Sequence, residues 1–176
     1  MTHQTPDSAI QQPAWKAKLL RIFEHRPGVL VGIGLPGSGK TTILKPLATE
    51  LGAVYLNRDE IRAELTGDPT NHTREPQVTR LGEQRLAAAL LAKKHVIVDA
   101  TYAKRKDRTS IIELSRLYGA QLVVGLHINT GLETSIIRNN LRERRVPEEA
   151  IQRMHHKMVL SPPSMDEGFD YLLHIT

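Results

Sequence analysis

The chain has 176 residues, which is enough for one ordinary domain with a substantial core. It contains no cysteine, so disulfides and thiolate metal sites are excluded. Its formal net charge of +5 suits a polyanionic partner, although a bound nucleotide accounts for part of such an excess. No apolar run approaches the length of a membrane span, and residues 1–12 lack the basic start and apolar centre of a signal peptide. We therefore expect a cytoplasmic protein that does not contact membranes.

Taken in order, the chain begins with a polar segment, residues 1–12, which we interpret as a flexible tail, and residues 13–176 form one domain. Apolar runs typical of strands occupy residues 29–33, 53–56, 96–99, 122–128 and 169–175. Apolar residues at helical spacing occupy 13–23, 41–51, 57–65, 78–94, 104–118, 134–144 and 148–158. Strands that alternate with helices predict an α/β fold with a parallel sheet covered on both faces. The polar residues 67–76 are predicted to be a mobile substrate loop.

The most informative stretch is the glycine loop of residues 34–41, which reads G-x-x-x-x-G-K-[ST]. It lies between a predicted strand and a predicted helix, as a phosphate-binding loop requires. The glycines expose backbone N–H groups, and the N-terminus of the following helix favours an anion. Lys40 is predicted to reach the β- and γ-phosphates, and the Thr41 hydroxyl is predicted to hold Mg²⁺. The residues expected to bind the nucleotide here are Leu35, Pro36, Gly37, Ser38, Gly39, Lys40, Thr41 and Thr42.

The third predicted strand ends in Asp99, which is followed by Ala100. A hydrolytic ATPase commonly has a glutamate at the second of these positions to orient the attacking water. The Asn-Lys-x-Asp guanine motif of GTPases is also absent from the sequence. Both observations favour a phosphotransferase whose nucleophile is a substrate hydroxyl. We expect Asp99 to bind Mg²⁺ through water, and the alternative is a structural acid at the end of the strand.

A kinase needs a base near the γ-phosphate, and Asp59 is the leading candidate. It follows the second predicted strand, at the edge where α/β sheets place their sites. Arg62 lies three residues later, so both side chains share one side of a helical turn. That spacing places a group that accepts a proton beside a cation. The cation suits either the phosphate of the acceptor substrate or the phosphoryl group that is transferred. On these residues alone, a surface ion pair at a helix start is equally well supported.

A second basic cluster comprises Arg138, Arg142, Arg144 and Arg145. Arg138 and Arg142 are four residues apart, and like charges on one helical face repel unless an anion lies between them. Phosphoryl transfer uses such arginines to neutralise the transferred group, often from a lid. The alternative is a solvated face balanced by neighbouring glutamates. We predict a function for Arg142 and none for Arg144 or Arg145.

Four blocks together resemble the small P-loop kinases, a family that contains the 5′-hydroxyl polynucleotide kinases and, more distantly, zeta-toxin-type and other small-molecule kinases. The blocks are Gly34–Thr41, Asn57–Arg62, Val96–Thr101 and Arg138–Arg142 with Val146-Pro147 behind it. The resemblance implies a P-loop three-layer sandwich, with a five-stranded parallel sheet in the order 2-3-1-4-5 and a helical lid.

The resemblance also implies roles for individual residues. Asp59 matches the family's general base, and Arg62 matches an arginine that contacts the acceptor's phosphate. Arg142 matches the lid arginine on the transferring phosphate, Arg138 matches one beside the nucleotide, and Asp99 matches an acid near the phosphates.

The expected reaction is therefore transfer of the γ-phosphate of ATP, with Mg²⁺, to a hydroxyl, first of all the 5′-hydroxyl of a polynucleotide. Tyr102 departs from the asparagine that polynucleotide kinases commonly have at this place. Tyr102 and Tyr55 are also the only aromatic residues near the predicted acceptor loop, a thin stacking platform for bases. A small-molecule kinase acting on a sugar, antibiotic or nucleotide-sugar stays open for this reason. A non-catalytic nucleotide-dependent switch is the second alternative.

Overall fold

Five strands form one sheet in the computed structural model, which describes residues 13–24 and 26–176. The strands are β1 (Gly28–Ile33), β2 (Val54–Asn57), β3 (Val96–Asp99), β4 (Leu122–Ile128) and β5 (Tyr171–Ile175). All neighbouring pairs are parallel, and the order is β2-β3-β1-β4-β5. The expected class and strand order are thus confirmed. The predicted flexible tail of residues 1–12 lies outside the described part of the chain.

Seven α-helices lie within the described residues. They are α1 (Ala14–Phe23), α2 (Lys40–Leu51), α3 (Arg58–Thr66), α4 (Glu75–Leu91), α5 (Arg105–Leu117), α6 (Leu132–Asn140) and α7 (Glu148–Leu160). Because β1, β3 and β4 are buried along their whole length, helices must cover both faces of the sheet. Apolar residues of α1 and α2 form the core on one face, and those of α4, α5 and α7 form it on the other.

This arrangement determines where the polar residues of the motifs meet. In a parallel sheet the carboxyl ends of all strands lie at one edge. The glycine loop follows β1 there, Asn57 ends β2, and Asp99 ends β3. The backbone N–H of Gly34 donates to the carbonyl of Thr101 at 3.2 Å, which ties the start of the glycine loop to the segment after β3.

Two predicted segments differ in the structure. The helix expected over residues 134–144 ends at Asn140, because the buried Asn139 bonds the backbone N–H and C=O of Val146 at 3.0 and 2.8 Å. Its amide thereby turns the chain away from the helix axis. Residues 67–76 are not a plain loop, since they contain a short 3-10 turn and the first residues of α4. No α-helix in the described ranges has both the length and the apolar composition to cross a bilayer.

Candidate active site

The glycine loop is shaped by close packing as well as by its own turns. Gly37 and Gly39 have φ angles of +86° and +92°, a region that side chains other than glycine rarely adopt. A Cβ atom on Gly37 would overlap the carbonyl oxygen of Ser135 in α6. The loop therefore lies directly against α6, and α2 begins at Lys40 immediately after it. A glycine-rich loop that leads directly into a helix N-terminus is a common form of anion site.

A cavity of about 730 Å³ opens beside this loop. Its lining includes Gly37, Gly39 and Thr42 on one side and Arg138 and Arg142 on the other. The size suits a small ligand, since ligand sites commonly measure about 300–1,000 Å³. Within the loop the Ser38 hydroxyl is buried without a hydrogen-bond partner among the described residues. An orphaned polar atom in an anion cradle fits a bound phosphate.

Lys40 is buried at the centre of the site. Its ammonium donates to the carbonyl oxygens of Gly34 and Leu35 at 2.8 and 2.9 Å. The pKa of Lys40 is lowered from 10.5 to about 8, mainly because the side chain is buried. The charge of Asp99 raises this pKa, and the charge of Arg142 lowers it further. Asp59 also raises this pKa. The charges of the candidate base and of the predicted lid arginine therefore both act on the loop lysine.

Nucleotide binding is expected to take up protons at Lys40 above pH 8. With a pKa of about 8, most Lys40 side chains are neutral at pH 8.5. An adjacent phosphate favours the charged form and raises the pKa. The affinity for ATP should then fall as the pH rises through 8 to 9, whereas little uptake is expected at pH 7. Calorimetric titrations in two buffers of different ionisation enthalpy measure the uptake directly.

A matched variant separates Lys40 from other titrating groups. Lys40→Arg stays charged throughout this pH range, so its proton uptake at pH 8.5 should be lost. Equal uptake by both proteins, or none by the wild type, contradicts this assignment.

Asp99, at the end of β3, contacts side chains from α2 and β2. Its Oδ2 accepts hydrogen bonds from the Thr41 hydroxyl at 2.8 Å, from the Tyr55 hydroxyl at 2.5 Å and from the Asn57 amide at 3.3 Å. Burial and this bond to Asp99 raise the pKa of Tyr55, which therefore stays a donor. A hydroxyl and a carboxylate side by side next to the phosphate loop are the hard oxygen ligands that Mg²⁺ prefers. Thr41 and Asp99 thus fit the metal site predicted for them.

Asp59 lies in the first turn of α3 and is half exposed, while Arg62 behind it is buried. Arg62 Nη1 donates to Asp59 Oδ1 at 2.5 Å and to the carbonyl of Pro69 at 2.9 Å. Its Nε donates to Glu75 Oε1 at 2.5 Å. Arg62 was expected to hold the acceptor, but its observed donors are directed at the protein and orient Asp59. The arginine bonds in turn lower the pKa of Glu75 to about 2.

The predicted arginine cluster divides into two parts. Arg138 and Arg142 line the 730 Å³ cavity together, although Arg142 lies in the turn after α6 rather than on the helix. Arg144, for which no function was predicted, pairs its Nη1 with Asp59 Oδ2 at 2.9 Å. Arg145 contacts the carbonyl of Arg142. Asp59 and Arg142 both act electrostatically on Lys40, and Arg144 pairs with Asp59. These four residues therefore lie near one another, and the region between them is the cleft of the candidate site.

Sequence reasoning missed four polar residues of this cleft, namely Tyr55, Asn57, Glu75 and Arg144. A signal existed for two of them, because alternate residues of β2 point to the same side of the sheet. Asn57 also caps α3, since its side chain accepts from the N–H groups of Asp59 and Glu60. No local pattern marks Glu75 or Arg144, which reach the site through folded loops.

A second cavity of about 710 Å³ lies between α4 and α5, over β2 and β3. Leu56 and Val98 line it from the sheet, and Asp99, Arg58 and Tyr102 line it near the cleft. It is therefore contiguous with the candidate metal site. Neither Asp59 nor Arg62 is among its lining residues.

Comparison with known proteins places this chain in a family. The AAA_33 family, which is described as an AAA domain, matches residues 29–161, well over half of the chain. A chain of the Pnkp1/Rnl/Hen1 RNA repair complex is similar with a TM-score of 0.70 and 24% identity, over 83% of this chain and 47% of that chain. The present chain thus spans about half the length of that relative.

Two small-molecule kinases are similar over most of both chains. Shikimate kinase from Acinetobacter baumannii has a TM-score of 0.55 and 22% identity, over 89% of this chain and 88% of that chain. A gluconokinase from Sinorhizobium meliloti 1021 has a TM-score of 0.52 and 18% identity, over 85% and 83%. At these identities the likeness establishes the fold. The chain belongs to the AAA_33 family of AAA domains and has a P-loop kinase-like fold.

Proposed function

We propose that the protein is an ATP- and Mg²⁺-dependent kinase that phosphorylates a hydroxyl group, and that this hydroxyl is the 5′ end of a polynucleotide. One observation carries the proposal. Asp59, a half-exposed carboxylate, and Arg142 both lie near enough to the buried loop lysine Lys40 to act on it electrostatically. A base, a phosphate-binding cation and a second cation therefore converge where a γ-phosphate would meet an acceptor.

Each of these residues has a defined task in the transfer. Asp59 accepts the proton of the acceptor hydroxyl as its oxygen forms a bond to the γ-phosphorus and the bond from that phosphorus to the ADP oxygen breaks. Lys40 and Arg142 stabilise the charge on the transferred group. Arg138 binds the nucleotide, and Thr41 and Asp99 would hold Mg²⁺, Asp99 through water. When bound, the metal neutralises charge on the phosphate oxygens.

The charge around Asp59 supports an anionic acceptor. Three arginines, Arg58, Arg62 and Arg144, share the two carboxylates Asp59 and Glu75. Asp68 also acts electrostatically on Arg144, so the supporting feature is the group of three arginines and not a net excess of charge. Such arginines suit the phosphates of a polynucleotide, the first of which lies one sugar away from the 5′-hydroxyl. The similarity in fold to a chain of an RNA repair complex is in accord with such an acceptor.

Labelled transfer tests the proposal. The protein is incubated with γ-labelled ATP, Mg²⁺ and 5′-hydroxyl DNA or RNA oligonucleotides, in parallel with a pool of metabolites. Label on the oligonucleotide ends, and increasing acceptor KM with increasing salt, are the expected results. ATP binding with no labelled product from any acceptor would instead support a nucleotide-dependent switch.

A small-molecule acceptor is the second candidate, and the 710 Å³ cavity favours it. Glu83, Asp107 and Glu113 line this cavity, and none of the three has an ion-pair partner among the described residues. A compact acceptor with an apolar frame and no negative charge suits such a groove. Label appearing only on a metabolite, with an acceptor KM that does not depend on salt, would select this candidate.

A further inference from the structure

Arg144 is the residue of the cleft whose position is least explained by nucleotide binding. It belongs to the segment between α6 and α7, residues 141–147, which is anchored by Asn139 at Val146. Its bond to Asp59 joins residues 85 positions apart. Among the described residues, this is the one polar side-chain contact between that segment and α3. Arg144 therefore spans the open side of the cleft, opposite the buried Arg62.

The two oxygens of Asp59 have different kinds of partner. Oδ1 is held by Arg62, which is buried and fixed in turn by Glu75 and the carbonyl of Pro69. Oδ2 is held by Arg144, whose side chain is 38% exposed and forms no other hydrogen bond or ion pair in the described chain, although the exposed Asp68 acts on it electrostatically. The first contact is a fixed part of the fold, and the second can exchange. An acceptor hydroxyl must come within about 2.6–3.2 Å of the Asp59 carboxylate to give up its proton. It can do so at Oδ2 by replacing Arg144 there.

When a hydroxyl displaces Arg144 from Asp59, the guanidinium charge of Arg144 needs a new partner. Arg58 retains Glu75 and Thr79, and Arg62 retains Glu75 and Asp59 Oδ1. Arg144 alone loses its paired carboxylate when a hydroxyl takes its place, and it is left with the more distant electrostatic effect of Asp68. A guanidinium released beside the reacting hydroxyl is well suited to bind a phosphate, because its planar donors match phosphate oxygens in pairs.

We propose that Arg144 determines acceptor specificity: it pairs with Asp59 in the free protein and moves to the phosphate next to the reacting hydroxyl when an acceptor binds. The inference rests on the proposed function and refines its acceptor to a hydroxyl that has a phosphate close by. Arg144 contacts the acceptor and not the transferred group. Its loss should therefore affect acceptor binding much more than the rate of the bound complex.

Two acceptors that differ by one phosphate test this role. Thymidine 3′-phosphate and thymidine are titrated by calorimetry into protein saturated with Mg²⁺ and a non-hydrolysable ATP analogue. Wild type is expected to bind the phosphorylated compound about tenfold more tightly or better, as one charge-assisted contact supplies. Arg144→Gln should reduce that preference to about twofold, with thymidine binding unchanged or tighter, because Asp59 Oδ2 is then free.

Two further variants exclude a general effect of the substitution. Arg145→Gln removes an adjacent arginine whose one side-chain hydrogen bond among the described residues is to the carbonyl of Arg142, and should keep the wild-type preference. Arg144→Lys keeps the charge without the paired donors, and should recover part of it. In turnover, Arg144→Gln should raise the KM for thymidine 3′-phosphate about fivefold and change kcat by less than about threefold.

The proposal is wrong if wild type binds both compounds equally or neither, or if Arg144→Gln leaves the preference intact. It is also wrong if the variant lowers kcat equally for both acceptors, since that marks a structural role. Because the preference is measured at equilibrium, it does not depend on turnover. Failure of labelled transfer to oligonucleotides would contradict the proposed function separately.

Discussion

Asp59→Asn is expected to lower kcat by about 10²- to 10⁴-fold at saturating acceptor and ATP, the usual contribution of a positioned base. The amide cannot take the hydroxyl proton, but it has nearly the same shape and can still accept a bond from Arg62. Since Asp59 is half exposed, the fold should tolerate the change. Single-turnover rates with γ-labelled ATP measure the loss, and nucleotide titration should show an affinity for ATP within about threefold of wild type.

Glu60→Gln is the matched control. Glu60 is the next residue of the same helical turn, and it pairs with Lys45 on the surface rather than facing the cleft. Its substitution should leave kcat near the wild-type value. Normal turnover of Asp59→Asn with a saturating acceptor would remove Asp59 from the role of base. An equal loss in both variants would indicate damage to α3 instead.

Arg108→Met is expected to cost about 3–5 kcal/mol of stability, the loss typical when one partner of a buried ion pair is removed. Arg108 and Glu167 have fully buried side chains and form two bonds of 2.6 Å. Arg108 also donates to the carbonyls of Tyr102 and Ser161 at 3.0 and 2.9 Å. The variant leaves the Glu167 carboxylate buried without a cation, and it frees both carbonyls. Urea unfolding followed by circular dichroism gives the loss.

The surface pair beside it provides the comparison. Arg105 and Asp166 join the same two segments at 3.0 Å, but both side chains are largely exposed. Arg105→Met should therefore cost far less stability than Arg108→Met, because solvent screens an exposed ion pair. The double variant Arg108→Met/Glu167→Leu should be more stable than Arg108→Met alone, because no unpaired charge remains. If Arg108→Met costs no more than Arg105→Met, the buried pair does not stabilise the fold.

The buried pair also bears on the site. Tyr102 has a φ of +48°, and its carbonyl is held by Arg108. The neighbouring Thr101 carbonyl receives the N–H of Gly34, where the glycine loop begins. The pair thus fixes the segment after β3 against the phosphate loop. The sequence did not predict that Arg108 pairs with Glu167, because their contact spans 59 positions.

The sequence by itself determined the local parts of this protein. The glycine loop, the strand before it and the helix after it are encoded within about 25 consecutive residues, and glycine, lysine and apolar spacing act at short range. Continuous apolar runs predicted buried parallel strands, and β1, β3 and β4 are buried throughout. The strand order followed from the resemblance to P-loop kinases, and the structure confirms it.

Only the tertiary structure decided which charged groups meet. Asp59 and Arg62 are predictable neighbours on α3, but Glu75 turns that arginine inward from a segment that looked like a mobile loop. Arg144 looked like a solvated residue and contacts Asp59 across 85 positions. The Arg144 contact depends on the path of residues 141–147, which Asn139 fixes by its bond to Val146. A pattern of charged residues in the sequence does not indicate where each side chain will point. The phosphate-binding loop can thus be predicted from local sequence, whereas the proposed acceptor side of the cleft is formed by packing between distant segments.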